Sequence, residues 1–529
     1  MTTRKTKSAG KRTARKAAKS AKKAKRAVRS TKGTGLRVRM YRVGFGDFFL
    51  VIIPTSKGDQ YILIDCGVFK GKSGTGDIGS IVEAVKDMRD TTGGKLALVI
   101  MTHRHADHIA GFSKAEELFR TEFEAKMVWM PYWEQFNDEA KAAAAKKKAA
   151  GKTSKLAADD DEEEDPNEAH NLLVDIHELA TNLALQFRGR EDADAKEALA
   201  QLGNATGIED FNAVATGKKK GAGPNAVALD VLKNHLGSNG KNVRYYAAGD
   251  KADLPDELEG LKATILGPPP KKAKAFLNLM DLKKGVGQYL DSMTETSKGP
   301  KAIQPFPNEW NASEKRDYPA RDLRKYLIDY NQCTKDVNSS QPDMLALAAS
   351  KIENFLNNQS LVVLFEFDGK KLLFAGDAQG GNWEYWLFKT EGPVKDPTKA
   401  GDIIEESKEI LNTIDFYKVG HHGSTNATPI QAVEAAIARP KSSKGFVSMC
   451  STEDEVFGSR ENESEVPRLP LMKVLADGSC LLRSDSIPIT YTDADTGKQI
   501  TIKARKGVEL PTPKTGKIDA AKLYLEYAF

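Results

Sequence analysis

The sequence predicts an α+β body that carries a mostly helical insertion and follows a basic tail. Three observations carry this prediction. Strand-length apolar runs recur from residue 36 onward, two stretches of different character interrupt them, and charge is divided unevenly along the chain. Of 529 residues, 79 are Lys or Arg and 73 are Asp or Glu, a formal +6. The first 35 residues hold 14 basic side chains and no acidic one, which leaves 65 basic against 73 acidic, a net −8, for residues 36–529.

Residues 1–35 contain no aromatic residue and too little apolar surface to offset chain entropy, so the sequence predicts a disordered tail. Its charge reads first as solvated and alternatively as an arm for nucleic acid. Strand-like text then begins with Leu36–Tyr41, Phe48–Pro54 and Gln60–Ile64, separated by the turn residues Gly44-Phe45-Gly46-Asp47 and Lys57-Gly58-Asp59. A helix is expected from Gly79, with Ile81, Val82 and Val85 at helical spacing, then a buried strand at Leu96–Met101, a helix over Gly111–Phe119 and a strand at Lys126–Met130. Residues 131–240 read as the helical insertion, with a Lys/Ala block and the acidic run Asp159–Asp165, which reads as solvated charge. Strands resume at Val243–Tyr246 and Ala263–Leu266. A Lys- and Pro-punctuated irregular stretch covers about 271–355, and Ser360–Phe367 and Lys371–Ala375 follow, joined by Asp368-Gly369-Lys370. Residues 486–529 read as a C-terminal β extension, with a hairpin of Ile487–Tyr491 and Gln499–Ala504.

Several classes are excluded. No apolar run approaches the roughly 18 residues that span a bilayer. The N-terminus has charge without an apolar h-region, unlike a secretory signal. The four cysteines, Cys66, Cys333, Cys450 and Cys480, lie far apart with no CxxC pair, which disfavours a disulfide framework. A soluble protein in a reducing, cytoplasmic setting, with no membrane partner, is expected.

Only eight histidines occur in the chain, yet three fall within Thr102-His103-Arg104-His105-Ala106-Asp107-His108, directly after a buried strand. In an extended loop, residues i and i+2 point the same way, so His103 and His105 can grip one metal while Asp107 and His108 face a second. Gly111 leaves room for close backbone approach. Two more histidines are adjacent in Val419-Gly420-His421-His422-Gly423-Ser424, after the strand-like run Asp415–Val419, and Asp377 follows another strand and a glycine. Three strand-end loops rich in His and Asp offer N/O donors that suit zinc and, less well, manganese or iron.

His103-x-His105-x-Asp107-His108, the later Gly376-Asp377 and the terminal His421-His422-Gly423-Ser424 resemble the metallo-β-lactamase superfamily. The likeness is closer to the metallohydrolase domain of bacterial DNA-uptake (competence) channel proteins and related stand-alone hydrolases. Val43-Gly44-Phe45-Gly46-Asp47 is similar to their opening Val-Gly-Gln-Gly-Asp turn, and Ile64-Asp65-Cys66-Gly67 to a strand-end Asp-x-Gly. Leu266-Gly267-Pro268-Pro269 is similar to a mid-chain strand exit, and Ser360–Val363 to the strand before Gly-Asp. The resemblance covers about 36–130 and 241–485, the two halves of the fold. It implies an αββα sandwich with two Zn2+ per chain, or Mn2+. By the same pattern His103 and His105 bind one metal, Asp107 and His108 the other, Asp377 bridges both, and His421 or His422 completes the second site. Asp65 then holds the loops, and Asp107 or the spare histidine of the pair accepts a proton. The chain departs from the pattern in two places. The superfamily's further ligand histidine between the first motif and the bridging aspartate has no counterpart beyond His170, His177 and His235, which leaves the first metal to be completed by water, substrate or an insertion residue. No histidine follows His422, where relatives carry one in a loop that here reads Val456-Phe457-Gly458-Ser459-Arg460.

The implied activity is hydrolysis by a two-metal-activated hydroxide. Two divalent cations against Asp107 and Asp377 leave +2, which favours an anionic substrate. The expected enzyme is a phosphodiesterase or nuclease on nucleic acid or nucleotides, with Lys418, Ser424 and Thr425 either contacting phosphate or serving structure. The alternatives are a small-molecule ester or phosphoester hydrolase with the insertion as a lid, and a non-catalytic nucleic-acid-binding module with a degenerate metal site.

Overall fold

The computed structural model describes residues 35–69, 80–135, 193–208, 223–276, 342–389, 403–424, 428–437, 445–453, 465–485 and 523–529, with shorter pieces that include 489–492, 499–502 and 517–521. Residues 1–34 of the tail, the acidic run, His170, His177 and Thr425 lie outside the described residues.

The first apolar runs form β1 (Arg37–Tyr41), β2 (Phe48–Thr55) and β3 (Gly58–Cys66), an antiparallel meander. The chain continues through α1 (Ile81–Thr92), β4 (Lys95–Ile100), α2 (Ala106–Lys114), α3 (Glu116–Glu122) and β5 (Glu124–Pro131). Ser80 caps α1 by accepting from the Glu83 N–H, and Gly93 ends it in the left-handed conformation. Helices α4 (Ala193–Thr206) and α5 (Pro224–Asp230), the latter extended by a π-helical turn over Val231–Leu236, lead to β6 (Val243–Tyr246). Strands β3 to β6 are mutually parallel, as expected where helices cross over between strands.

The second sheet repeats this plan. Strands β7 (Lys262–Gly267), β8 (Val362–Phe367) and β9 (Lys370–Phe374) are antiparallel. Strands β10 (Phe416–Lys418), β11 (Val447–Cys450) and β12 (Cys480–Arg483) then add in parallel. The helices are α6 (Pro342–Asn357) before β8, α7 (Gly380–Phe388) and α8 (Glu405–Thr413) between β9 and β10, α9 (Ile430–Ile437) and α10 (Leu469–Gly478). Strands β13 (Ile489–Thr492) and β14 (Gln499–Ile502) form the expected hairpin as a separate two-stranded sheet. The last two strands, β15 (Lys517–Ala520) and β16 (Tyr524–Ala528), return to the first sheet, where β16 pairs with β1. The orders are β15-β16-β1-β2-β3-β4-β5-β6 and β12-β11-β10-β9-β8-β7.

Alternation in the strands sorts the core. Met40, Phe49, Ile64, Leu98 and Trp129 of the first sheet share one buried cluster with Val363, Phe365, Phe374, Phe416 and Met449 of the second. The opposite face of the first sheet packs on α1, α2 and α3, and that of the second on α7, α9 and α10. Parallel strands end at the same rim, so the exits of β3 and β4 meet those of β9, β10 and β11. Backbone bonds tie the rim together: the Leu361 N–H donates to Thr102 O at 2.9 Å, and the Asp47 N–H to Asp107 O at 2.8 Å.

Two expectations are corrected. The helix placed at Gly111–Phe119 starts instead at Ala106 and breaks at Ala115, so Asp107 and His108 stand in its first turn. The stretch 271–355 is not irregular throughout: Met344, Leu345, Leu347, Ala348 and Ile352 fall at helical spacing within α6, which packs on α4 through Ile352, Phe355, Ala198 and Leu202. The Lys and Pro residues upstream hid that periodicity.

Candidate metal centre

Residues 103–108 leave β4 and turn into α2. His105 keeps extended backbone, φ −63° and ψ 151°, so His103 and His105 project to one side as the i, i+2 spacing predicts. His103 Nε2 and His105 Nδ1 lie 3.0 Å apart, within reach of one zinc at the usual Zn–N length of about 2.0–2.1 Å. The loop approaches the rest of the fold with no space to spare. A Cβ on Gly67 would stand 1.9 Å from the Asp107 carbonyl carbon, and one on Gly111 would stand 2.4 Å from Cys66 Sγ.

Two groups of candidate ligands share Asp107. His103, His105 and Asp107 form one; Asp107, His108, Asp377 and His422 form the other, and all are buried. His422 Nε2 lies 3.0 Å from Asp107 Oδ2 and 3.6 Å from Asp377 Oδ2, and His108 Nε2 lies 2.9 Å from Asp377 Oδ2. Asp107 Oδ1 is buried without a hydrogen-bond partner, and His108 Nε2 and Asp377 Oδ2, equally buried, have no partner beyond their contact with each other. Buried His and Asp donor atoms that converge from two sheets within reach of one another can hold a metal ion.

The surrounding groups fix which nitrogen each imidazole presents. Asp65 accepts from the Thr102 N–H at 2.8 Å and the Thr102 hydroxyl at 2.6 Å, and its Oδ2 stands 2.7 Å from His108 Nδ1. His422 Nδ1 stands 2.7 Å from Ser451 O. With both Nδ1 atoms occupied by acceptors, Nε2 is left facing the centre. A third group, Asp47, Asp65 and His108, lies just behind.

The adjacent histidines part company here. Both hold left-handed backbone, with φ 41° at His421 and 53° at His422, an uncommon conformation for side chains of this size. It turns His422 inward, 0% exposed, and His421 toward the rim. There the His421 ring meets Ser424 Oγ at 2.9 Å, Gln379 Nε2 at 3.2 Å and Glu353 Oε1 of α6 at 3.4 Å, while the backbone N–H of His421 donates to Asp377 Oδ1 at 3.1 Å. Of the two residues held open by the sequence, His422 is therefore the one brought to the ligand cluster.

Charge is arranged accordingly. Burial pushes the His103 imidazole well below its usual pKa and lowers that of His105, which leaves both lone pairs available. Burial alone would raise the Asp107 carboxyl, but the neighbouring His108 and His422 imidazoles outweigh it and bring it down to about 2. Burial opposes a charge on His421 as well, yet Glu353 and Asp377 prevail and push its pKa up to about 9.

Lys418 takes the structural one of its two expected roles. Its side chain is 2% exposed, and its ammonium donates to Gly376 O at 2.9 Å, to Asp377 Oδ1 at 3.2 Å and to Asp47 Oδ2. It is an internal ion-pair partner and has no free face for substrate phosphate. Ser424 likewise hydrogen-bonds His421 and Asn426. Of the insertion histidines, His235 faces Phe123 O at 3.4 Å and joins none of the candidate metal-ligand groups among the described residues. In place of a late histidine, Phe457 packs on Phe45 with ring centroids 4.6 Å apart, and Phe45 packs on the His422 ring at 4.2 Å. Sequence reasoning assigned no role to Asp47, Ser451 or Glu353. The turn text around Asp47 was the only signal among them.

No protein-family model matches the chain, and no match to it is found among curated proteins.

Proposed function

We propose that this chain is a metal-dependent hydrolase of the metallo-β-lactamase superfamily, its two sheets and flanking helices forming the αββα sandwich. On this reading His103, His105 and Asp107 hold one cation, and Asp107, His108, Asp377 and His422 hold the other. Zinc is the metal best suited to this N/O set, with manganese as the alternative. The observation that carries the reading is the convergence of buried His and Asp donor atoms from both sheets. Two such cations would supply Lewis acidity and lower the pKa of water from 15.7 to about 7.

The chain's own part is positional and electrostatic. Asp65 and the Ser451 carbonyl hold His108 and His422 in the ligand tautomer. Asp377 presents one oxygen inward because its other oxygen is occupied by Lys418 and the His421 N–H. His421, with 13% of its side chain exposed, is placed to hydrogen-bond a substrate oxygen at the rim. Asp47, Asp65, Asp107 and Asp377 against Lys418 give the buried centre −3, so two divalent cations leave +1 and one leaves −1. Counting Asp107 and Asp377 alone overstates the residue as +2. A net +1 still favours an anionic ester, and it requires both cations. We therefore assign a phosphodiester of nucleic acid or a nucleotide as substrate, with the basic tail as a nucleic-acid contact.

A small-molecule phosphoester remains the second reading, favoured by α6, which brings Glu353 over His421. The test is a panel of bis(p-nitrophenyl) phosphate, p-nitrophenyl phosphate and a chromogenic lactam with Zn2+ or Mn2+, alongside metal analysis. Diester hydrolysis with two divalent ions per chain is expected. Lactam hydrolysis alone would remove both phosphate readings, and folded protein without bound metal would favour a non-catalytic nucleic-acid-binding module.

A further inference from the structure

Lys418 carries an ammonium group into the interior of the centre. Its ammonium is enclosed by three oxygens, from Gly376, Asp47 and Asp377. Asp47 in turn stands 3.6 Å from both His108 Nδ1 and His422 Nδ1, so the ion pair lies directly behind two of the candidate ligands. The ammonium is flanked by two carboxylates and a carbonyl oxygen, an arrangement that favours its charged form. It sits in a cage of hard oxygens that would otherwise suit a metal cation.

From this geometry we infer that Lys418 is a built-in cation that sets the net charge of the metal centre, and that it thereby gives the two-metal site its preference for an anionic phosphate ligand. The inference rests on the proposed metal-centre reading. Without Lys418 the buried carboxylates total −4. Two divalent ions would then leave the centre neutral, with tighter hold on metal and weaker attraction for an anion. Removing the Asp47 charge does the reverse, because it leaves Lys418 partly unopposed and the loaded centre at +2. Charge setting therefore predicts that metal affinity and anion affinity move in opposite directions. Simple damage to the site weakens both together.

The experiment uses the full-length chain and four variants: Lys418→Met, Lys418→Arg, Asp47→Asn and the double Asp47→Asn/Lys418→Met. Zinc affinity is read by competition with a chromophoric chelator, and inorganic phosphate binding to the zinc-loaded protein by calorimetry. Lys418→Met should bind zinc at least about tenfold more tightly and phosphate at least about tenfold more weakly. Asp47→Asn should show the opposite pair of shifts, whereas Lys418→Arg and the double variant should stay within about threefold of the parent in both. Should Lys418→Met not fold, Asp47→Asn and Lys418→Arg carry the same contrast. Zinc and phosphate affinities falling together, or neither moving, would overturn the inference while leaving the metal centre intact. A parent protein that binds no divalent cation would overturn the metal reading and this inference with it.

Discussion

The two sheets contribute to the centre in unequal ways. The first supplies four of its candidate ligands from six consecutive residues, His103 to His108, on one loop held by one carboxylate, Asp65. The second supplies Asp377 and His422 from separate strand exits, and its order depends on Lys418 and on two strained histidine backbones. One half is a local motif. The other exists only once β9, β10 and β11 lie side by side.

This contrast can be broken most severely at Asp377. Asp377→Ala removes the carboxylate oxygen that the second sheet aims at the ligand cluster, and on the proposed two-metal reading elemental analysis should find the retained divalent ions reduced from two to one. Retention of neither would show that the loop half cannot hold a metal by itself. A smaller effect is expected at Asp65→Asn, which keeps the shape but weakens the acceptor beside His108 Nδ1. Zinc affinity should fall roughly 10- to 100-fold, measured by chelator competition, and an unchanged affinity would mean the loop holds its own geometry. The smallest effect belongs to His421→Asn. Zinc affinity should stay within about threefold of the parent while KM for a phosphodiester rises, because His421 faces Glu353 and the rim and not the ligand cluster. Loss of an ion from this variant would put His421 in the shell after all.

The same inequality explains what the sequence disclosed. His103, His105, Asp107 and His108 were legible because scarce histidines at i, i+2 spacing after a buried strand are a local signal, and the structure does bring them together. Asp377 and the His421-His422 pair were found as strand-end residues, but which histidine turns inward is decided by backbone handedness, which no spacing reveals. Lys418 stayed open between phosphate contact and structure because a lysine at a strand end looks the same in text whether it meets solvent or two buried aspartates. The strands were legible by their apolar runs, whereas the return of β16 to β1 pairs Arg37 with Ala528 and is invisible to any local window.

The contact between His422 and Asp107 joins residues 315 apart in the chain. Closing a flexible segment of that length, compared with one shorter by residues 131–240, costs only about 0.4 kcal/mol more, since the entropy grows with the logarithm of length. In chain entropy the centre is thus nearly indifferent to the length threaded between its halves, although Asn204 and Asn225 of that interval hydrogen-bond the 103–108 loop. New chain can be spliced into that interval, and tried as a cover or as a docking arm, without the chemistry at the rim having to be reinvented.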